Sequence, residues 1–355
     1  MGATSETRTY DALLSTTLEN WAKGINDTIT TSIFFYYMLK RSKSWVTVDA
    51  LGERAKFSLR YKNGNADSYS GYDIQDTTPM DGITASFWPW RQLSVPISIS
   101  RIEERKNSGQ YAMLDLLEEK TAQAMDGIHE KFDKAFLQGN GINSATAIAT
   151  PYTSPVNGSL FIDPLPLLVG QTPTSGTIGS IAANVSDAGV TWWANQKVAS
   201  TDTNFASQLK SLRNLYNNCS KGVGGGPTGH LVDQNTAEWY EAALASQNRF
   251  TEYQRADIPF DNVLFRRSPV VWDEFMPNWS GITTALSTSQ GTWVMINFDY
   301  FQVKYDAQTN FSTTPFIKPE NQDAKVAMIQ WYGASGVTNR RKHGVDSDID
   351  TTVTS

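Results

Sequence analysis

Two strict alternations flanking a polar, glycine-rich stretch constrain this chain more than any other feature. From Ala55 to Lys62, Ala55, Phe57, Leu59 and Tyr61 share one parity while Lys56, Ser58, Arg60 and Lys62 take the other, the period-two signature of a strand with one buried face. Ile83, Ala85, Phe87, Leu93, Val95, Ile97 and Ile99 form a second alternation, with Trp88 and Trp90 on its opposite face. Pro89 and Pro96 restrict this second segment to an edge or bulged strand, because proline cannot donate to a ladder. Residues 63–82 between them are dense in Gly, Asn, Asp and Ser, too long a connection to be an inert turn. The pattern predicts one long hairpin, reaching roughly 60 Å if about 18 residues extend at ~3.3 Å each. A bare two-stranded ribbon of that length is not stable in water, so something must pack on it.

The clearest helix lies within Arg101 to Gln138, where Leu114, Leu117, Thr121, Met125, Ile128, Phe132 and Phe136 recur at spacings of three and four. Gly139 and Gly141 stop it, and Gly109 can shorten its front. Residues 142–202, rich in Thr, Ser, Gly, Pro and Ala and carrying the pair Trp192-Trp193, read as loops and brief strands. From Asn204 the signals are ordered again: a helix around Phe205 to Tyr216, a glycine-rich turn, a strand at His230 and a helix through Thr236 to Ala245. Strands follow at Val263 to Phe265, Pro269 to Trp272, Trp293 to Ile296, Phe301 to Tyr305 and Val326 to Trp331. The order is that of an α+β protein rather than a regular βαβ series.

Composition narrows the function. The 355 residues carry 30 basic and 36 acidic side chains, a net charge of −6, which argues against a protein whose main affinity is for nucleic-acid phosphate. Eleven Trp, 14 Tyr and 16 Phe point to large aromatic contact surfaces. Cys219 is the single cysteine, so no intrachain disulfide forms and a reducing origin is expected. The start carries Glu6 and Asp11 without an apolar core, and the most apolar run, Ile33 to Leu39, is far shorter than the roughly 20 residues that span a bilayer. No membrane association is expected.

Chemical motifs are weak throughout. Gly224, Gly226 and Gly229 fit G-x-G-x-x-G, but they follow a helix and precede a strand, the reverse of a dinucleotide site, and Pro227 removes a donor. A flexible helix-to-strand connection is the better reading. His129-Glu130 lacks the second histidine of a zinc helix, since position 133 is Asp, and His230 and His343 lie far away. Cys219 has no nucleophile motif around it. Basic clusters at Lys40-Arg41, Arg266-Arg267 and Arg340-Arg341-Lys342-His343 either touch phosphate or pair with acids elsewhere. Asp346, Asp348 and Asp350 read as a solvated acidic tail. No catalytic, metal-binding or cofactor-binding residue is assigned, and no enzyme activity is expected.

Taken in order, an apolar arm, a long hairpin with a polar tip, a long amphipathic helix, a mixed centre and a return of strands resemble the major capsid proteins of tailed bacteriophages, the Hong Kong 97-type fold. The residues that carry the likeness are Ala256 to Phe265 leading into Ser268 to Asp273, Trp293 to Phe298, Asn321 to Ala327 and Asn339 to Gly344. The resemblance implies an N-terminal arm (1–44), an extended loop (45–100), a peripheral domain on the long helix (101–145 and 298–331), and an axial domain with the C-terminal segment (146–297 and 332–355). It implies self-assembly into hexamers and pentamers that close an icosahedral shell around double-stranded DNA, in the virion after synthesis in a bacterial cytoplasm. Many copies of itself would be the main partner, with portal and scaffold or cement proteins besides, and with DNA touched non-specifically. The Lys-Asn cross-link of some relatives has no assignable partner or catalytic Glu here, although Lys62 stands near the loop tip. The same fold builds encapsulin nanocompartments that load cargo protein, the alternative reading, and a soluble enzyme or binding module is the third.

Since aromatic side chains dominate protein contacts, Phe34, Phe35, Tyr36 and Tyr37 of the arm and Phe57, Leu59, Trp88 and Trp90 of the hairpin are the expected intersubunit anchors. The competing reading is that they are core residues of their own chain.

Overall fold

The Ala55 alternation becomes a strand, but the hairpin it starts is shorter than predicted. In the computed structural model, which describes residues 34–42, 44–49, 52–64, 66–75, 77–106, 116–138, 162–200, 204–245, 263–276, 290–320 and 322–353, β2 (Ala55–Arg60) pairs antiparallel with β3 (Ile83–Trp88), Ala55 opposite Trp88 and Arg60 opposite Ile83. The second alternation then divides at Pro89. Strand β4 (Arg91–Ser100) leaves the hairpin and pairs with β15 (Ala324–Val337), from Arg91 opposite Gly333 to Ser100 opposite Ala324. It forms the edge of a four-stranded sheet ordered β1-β14-β15-β4, with β1 (Trp45–Val48) parallel to β14 (Phe301–Thr313) at the other edge. Pro96 sits at the edge that its missing N–H requires.

Helix α1 (Phe34–Arg41) precedes β1, and α2 (Arg101–Lys106) follows β4. Helix α3 (Leu116–Gln138) lays Ile128, Phe132 and Phe136, all fully buried, against the inner face of the four-stranded sheet, where Ile97, Ile329, Trp331 and Phe301 meet them. From Ile128 to Phe136 the stripe behaves as its spacing predicts; the side chain of Leu117, and Gly109, Leu114, Gly139 and Gly141, lie outside the described residues.

A second sheet of six strands is ordered β11-β12-β10-β13-β16-β9. Its members are β9 (Gln196–Val198), β10 (Gly229–Val232), β11 (Val263–Phe265), β12 (Ser268–Trp272), β13 (Gln290–Ile296) and β16 (Gly344–Asp350). Helices α5 (Phe205–Ser220) and α6 (Gln234–Ala245) cover it, with Leu212, Leu215 and Trp239 buried over Val232, Trp293 and Met295. Short helix α4 (Leu165–Leu168) and the small hairpins β5–β6 (Thr177–Ile178, Ile181–Ala182) and β7–β8 (Ser186–Asp187, Val190–Thr191) connect the two halves.

Two expectations for the C-terminal segment are corrected. The acidic tail is not solvated: β16 runs between β13 and β9, and Asp346 is fully buried, accepting the N–H of Ser200 at 3.2 Å and bonded to its hydroxyl. Burial holds its carboxyl at about 6. Two cations of the basic run, Arg340 and Lys342, are held by oxygens of their own chain rather than by an acid. Arg340 donates to the carbonyls of Leu168 (2.9 Å) and Trp193 (2.7 Å) and to Asn195 Oδ1 (2.9 Å), and Lys342 donates to carbonyls of the loop after α5. The G-x-G-x-x-G segment links α5 to β10, the helix-to-strand order that excludes a dinucleotide site.

Candidate assembly surface

Of the eight residues expected to anchor a neighbour, five are buried within their own chain. Phe35, Tyr36, Phe57, Leu59 and Trp88 retain at most 7% of their surface, which leaves almost nothing for another subunit to cover. The side chain of Phe34 lies outside the described residues. Phe35 stacks on Phe136 at 4.9 Å, and Tyr36 stacks on His129 at 4.7 Å and meets Phe132 edge-on. His129 thus borders the apolar stripe of α3, and burial lowers its pKa.

The hairpin is seated by two glycines. An added Cβ would come within 2.8 Å of Trp88 at Gly179 and within 2.8 Å of Trp88 Nε1 at Gly336, so only glycine lets the indole lie flat on β15 and on the turn before β6. Lys304 fastens the same corner, donating to the Lys56 carbonyl at 2.6 Å with its ammonium 4.2 Å from the Phe57 ring centroid. Trp193 donates its indole N–H to the Ile178 carbonyl and helps fill the space beneath.

Beyond this seat the chain offers surface that it does not cover itself. Tyr37 is 63% exposed on α1, and Ile83 and Phe87 line the outer face of the hairpin. The connection between β2 and β3 carries Tyr69, Tyr72 and Ile74 essentially in solvent, the last two at 104% and 99%. Its base is closed by Tyr61, whose N–H reaches the Gly82 carbonyl and whose hydroxyl reaches the Asp81 carbonyl, and by Lys62, 3.5 Å from Asp187. Trp90, half-buried, donates to the Gly52 carbonyl. Tyr69, Tyr72 and Ile74 are thus large apolar side chains that this connection leaves exposed. The expected anchors fall largely on buried positions: on β2 the alternation marks the buried face, whereas on β3 the alternating Ile83 and Phe87 are exposed and the intervening Ser86 and Trp88 are buried.

The root of α1 holds a further feature that sequence reasoning did not find. Asp273 Oδ2 accepts the N–H of Phe35 (3.2 Å) and Asp133 Oδ1 that of Tyr36 (3.1 Å), while Asp273 Oδ1 accepts the N–H of Phe275 (2.9 Å). Two buried carboxyls thus hold the first turn of α1, where the helix dipole favours negative charge. Burial first, and the charge of Asp273 second, keep Asp133 well above the usual carboxylate range. A raised folded value means stability fully present below the unfolded carboxylate value of about 3.9 and lost as pH rises through the folded one. Asp133→Asn is therefore expected to gain on the parent chain as pH rises; thermal unfolding of both from about pH 4 to 9 checks it, and parallel curves would refute it.

Among the described residues no group of three or more His, Cys, Asp and Glu side chains could hold a metal ion, and no helix is long and apolar enough to cross a membrane. Cys219 is buried, and burial pushes its thiol up to about 12. His230 and His343 are buried and held down to about 3 by the same effect.

No family model and no curated protein sequence matches the chain. Solved structures do. The capsid asymmetric unit of cyanophage A-1(L) superposes with a TM-score of 0.63 at 14% identity, covering 94% of this chain and 97% of that one. The capsid of the native GTA particle gives 0.56 at 12% identity over 93% and 95%. The holo-SrpI encapsulin complex from Synechococcus elongatus PCC 7942 gives 0.54 at 11% over 97% and 96%. At these identities the likeness speaks for architecture, and it spans nearly the whole of each chain: the protein has the Hong Kong 97-type fold found in phage capsids and in an encapsulin shell.

Proposed function

We propose that the chain is a structural shell protein that self-assembles into hexamers and pentamers and closes an icosahedral head around double-stranded DNA. The observation that carries this is the β2–β3 connection, whose Tyr69, Tyr72 and Ile74 stand in solvent on a loop that the described residues do not cover. Full-length likeness to capsid subunits supports the same reading. Neighbouring subunits would cover these side chains, and many modest contacts repeated around a closed shell would add to a stable whole.

Within this reading residues 1–44 are the arm, and the extended loop narrows to about 52–90 because β1 and β4 belong to the four-stranded sheet. That sheet with α3 is the peripheral domain and extends through Val337; the six-stranded sheet with α5 and α6 is the axial domain. Tyr37 and Trp90 remain from the expected anchors as contact residues, joined by Tyr69, Tyr72, Ile74, Ile83 and Phe87. Portal, scaffold or cement proteins would complete the particle, located in the virion.

Light scattering and negative-stain microscopy of the purified chain test the proposal; a persistent monomer that forms neither rings nor shells under any assembly condition would overturn it. Replacing Tyr69, Tyr72 and Ile74 together by Ser is expected to abolish particles while changing the stability of the unassembled chain by less than about 0.5 kcal/mol. The encapsulin likeness favours a second reading, a cargo-loading compartment. Nuclease-protected DNA inside isolated particles supports the first, and encapsulated protein without DNA the second.

A further inference from the structure

The loop between α5 and β10 presents one side of its backbone to the protein and the other to solvent. Lys342 Nζ donates to the carbonyl oxygens of Lys221 (3.1 Å), Gly222 (3.4 Å) and Gly225 (3.0 Å). Asn297 Nδ2 donates to those of Gly224 (3.5 Å) and Gly226 (2.9 Å), the Tyr300 hydroxyl to Val223 (3.5 Å), and Ser268 Oγ to Pro227 (2.9 Å). Every carbonyl from Lys221 to Pro227 is thus directed at a donor of the protein body. In a trans peptide the C=O and the following N–H point in opposite directions, and no described peptide is cis. The N–H groups of residues 222 to 226 therefore face away from the body, and among the described residues none has an acceptor. Left-handed backbone at Gly222, Gly224 and Gly225 makes this arrangement possible.

Beside it stands a second element whose charges have no ion pair among the described residues. Arg266 and Arg267 are the two central residues of the tight turn between β11 and β12, both at positive φ (51° and 70°), in a hairpin geometry that favours Asn-Gly. Arg266 lies 6.0 Å over the Tyr216 ring, neither arginine has an ion pair among the described residues, and the adjoining Ser268 is tied to Pro227. Residues 204–232, 263–272 and 338–343 contain no Asp or Glu, in a chain of net charge −6. Asp299 is the one carboxylate of the 297–300 segment that borders them. Arginines held in a strained turn, where Asn-Gly would relax it, point to a role outside folding.

We propose that the 221–227 loop and the Arg266-Arg267 turn together bind the phosphate groups of a compact polyanion. Exposed backbone N–H groups would hydrogen-bond phosphate oxygens, the Lys342 ammonium behind them would supply field, and the two guanidinium groups would close on the ligand from the side. The test uses the full-length unassembled chain, so failure of one reading leaves the other standing.

The probes are sodium tripolyphosphate and a short DNA duplex, each titrated calorimetrically at low and raised salt. The variant R266N/R267G removes both guanidinium groups while installing the residues that the turn prefers, so its unfolding temperature without phosphate should not fall. Expected is saturable binding that weakens about tenfold or more in that variant and is unchanged in K56Q, which removes a charge from the distant β2–β3 hairpin. Loss of tripolyphosphate binding identifies a free oligophosphate as the source, and loss of duplex binding alone identifies nucleic-acid phosphate. Binding of neither probe, equal affinity in R266N/R267G, or equal weakening in K56Q would overturn the proposal.

Discussion

Arg340→Ala is expected to lower the unfolding free energy by about 3–5 kcal/mol, comparable to removing one member of a buried charge pair. The guanidinium is fully buried and, among the described residues, has no carboxylate partner; it is surrounded by the carbonyls of Leu168, Trp193 and Pro173 and by Asn195 Oδ1. Burial draws it down to about 9, so keeping it charged at neutral pH costs stability that these oxygen contacts offset. Removing it leaves several buried acceptors without a donor, each worth about 1–3 kcal/mol of desolvation. The acceptors come from α4, the segment after it and the approach to β9, so the loss would loosen the join between the two sheets. Arg340→Lys should recover only part, since one ammonium cannot reach all four oxygens in the plane of the guanidinium fork. Urea unfolding followed by tryptophan fluorescence checks both, and a loss below about 1 kcal/mol for Arg340→Ala would mean that water replaces the side chain without penalty.

Trp88→Ala is expected to destabilise the chain by about 3–5 kcal/mol, the usual range for emptying a buried aromatic site. The indole is 2% exposed, donates to Ser86 Oγ at 3.1 Å, and rests in a seat that Gly179 and Gly336 leave open. Its loss would leave a cavity under the hairpin and detach the base of the extended loop. Of the two readings drawn from sequence for Trp88, intersubunit anchor or core of its own chain, its burial favours the second. Trp90→Ala, at a half-buried position, should cost about 1 kcal/mol or less. Equilibrium unfolding of the unassembled chain separates the cases: unchanged stability of Trp88→Ala together with lost particles would return the residue to the interface.

The buried face of β2, the stripe of α3 and the edge position of β4 were legible because each follows from periodicity or from the missing N–H of proline, properties carried by a few adjacent residues. The partner of β4 was not. Its ladder joins Ser100 to Ala324, and nothing within either segment names the other, so an adjacent alternating segment looked like the natural mate. The tail misled for the same reason: Asp346 reads as a solvent residue until Ser200, 146 positions away, supplies its hydrogen bonds. Arg340 and Lys342 likewise read as surface cations until backbone carbonyls from distant loops surround them.

The candidate assembly surface shows the division most clearly. Local pattern by itself determined the class of fold, the long helix, the loop rich in turn residues and which parity of each strand is apolar, because burial on a strand or helix repeats with the backbone. Only the tertiary structure decided that the apolar face of β2 is already satisfied within the chain, that Trp88 rather than Phe87 turns inward on β3 to the seat left by Gly336 and Gly179, and that Tyr37, Tyr69, Tyr72 and Ile74 remain exposed. Which apolar group is left over depends on what every other segment has already covered, a sum over the whole molecule that no stretch of sequence contains.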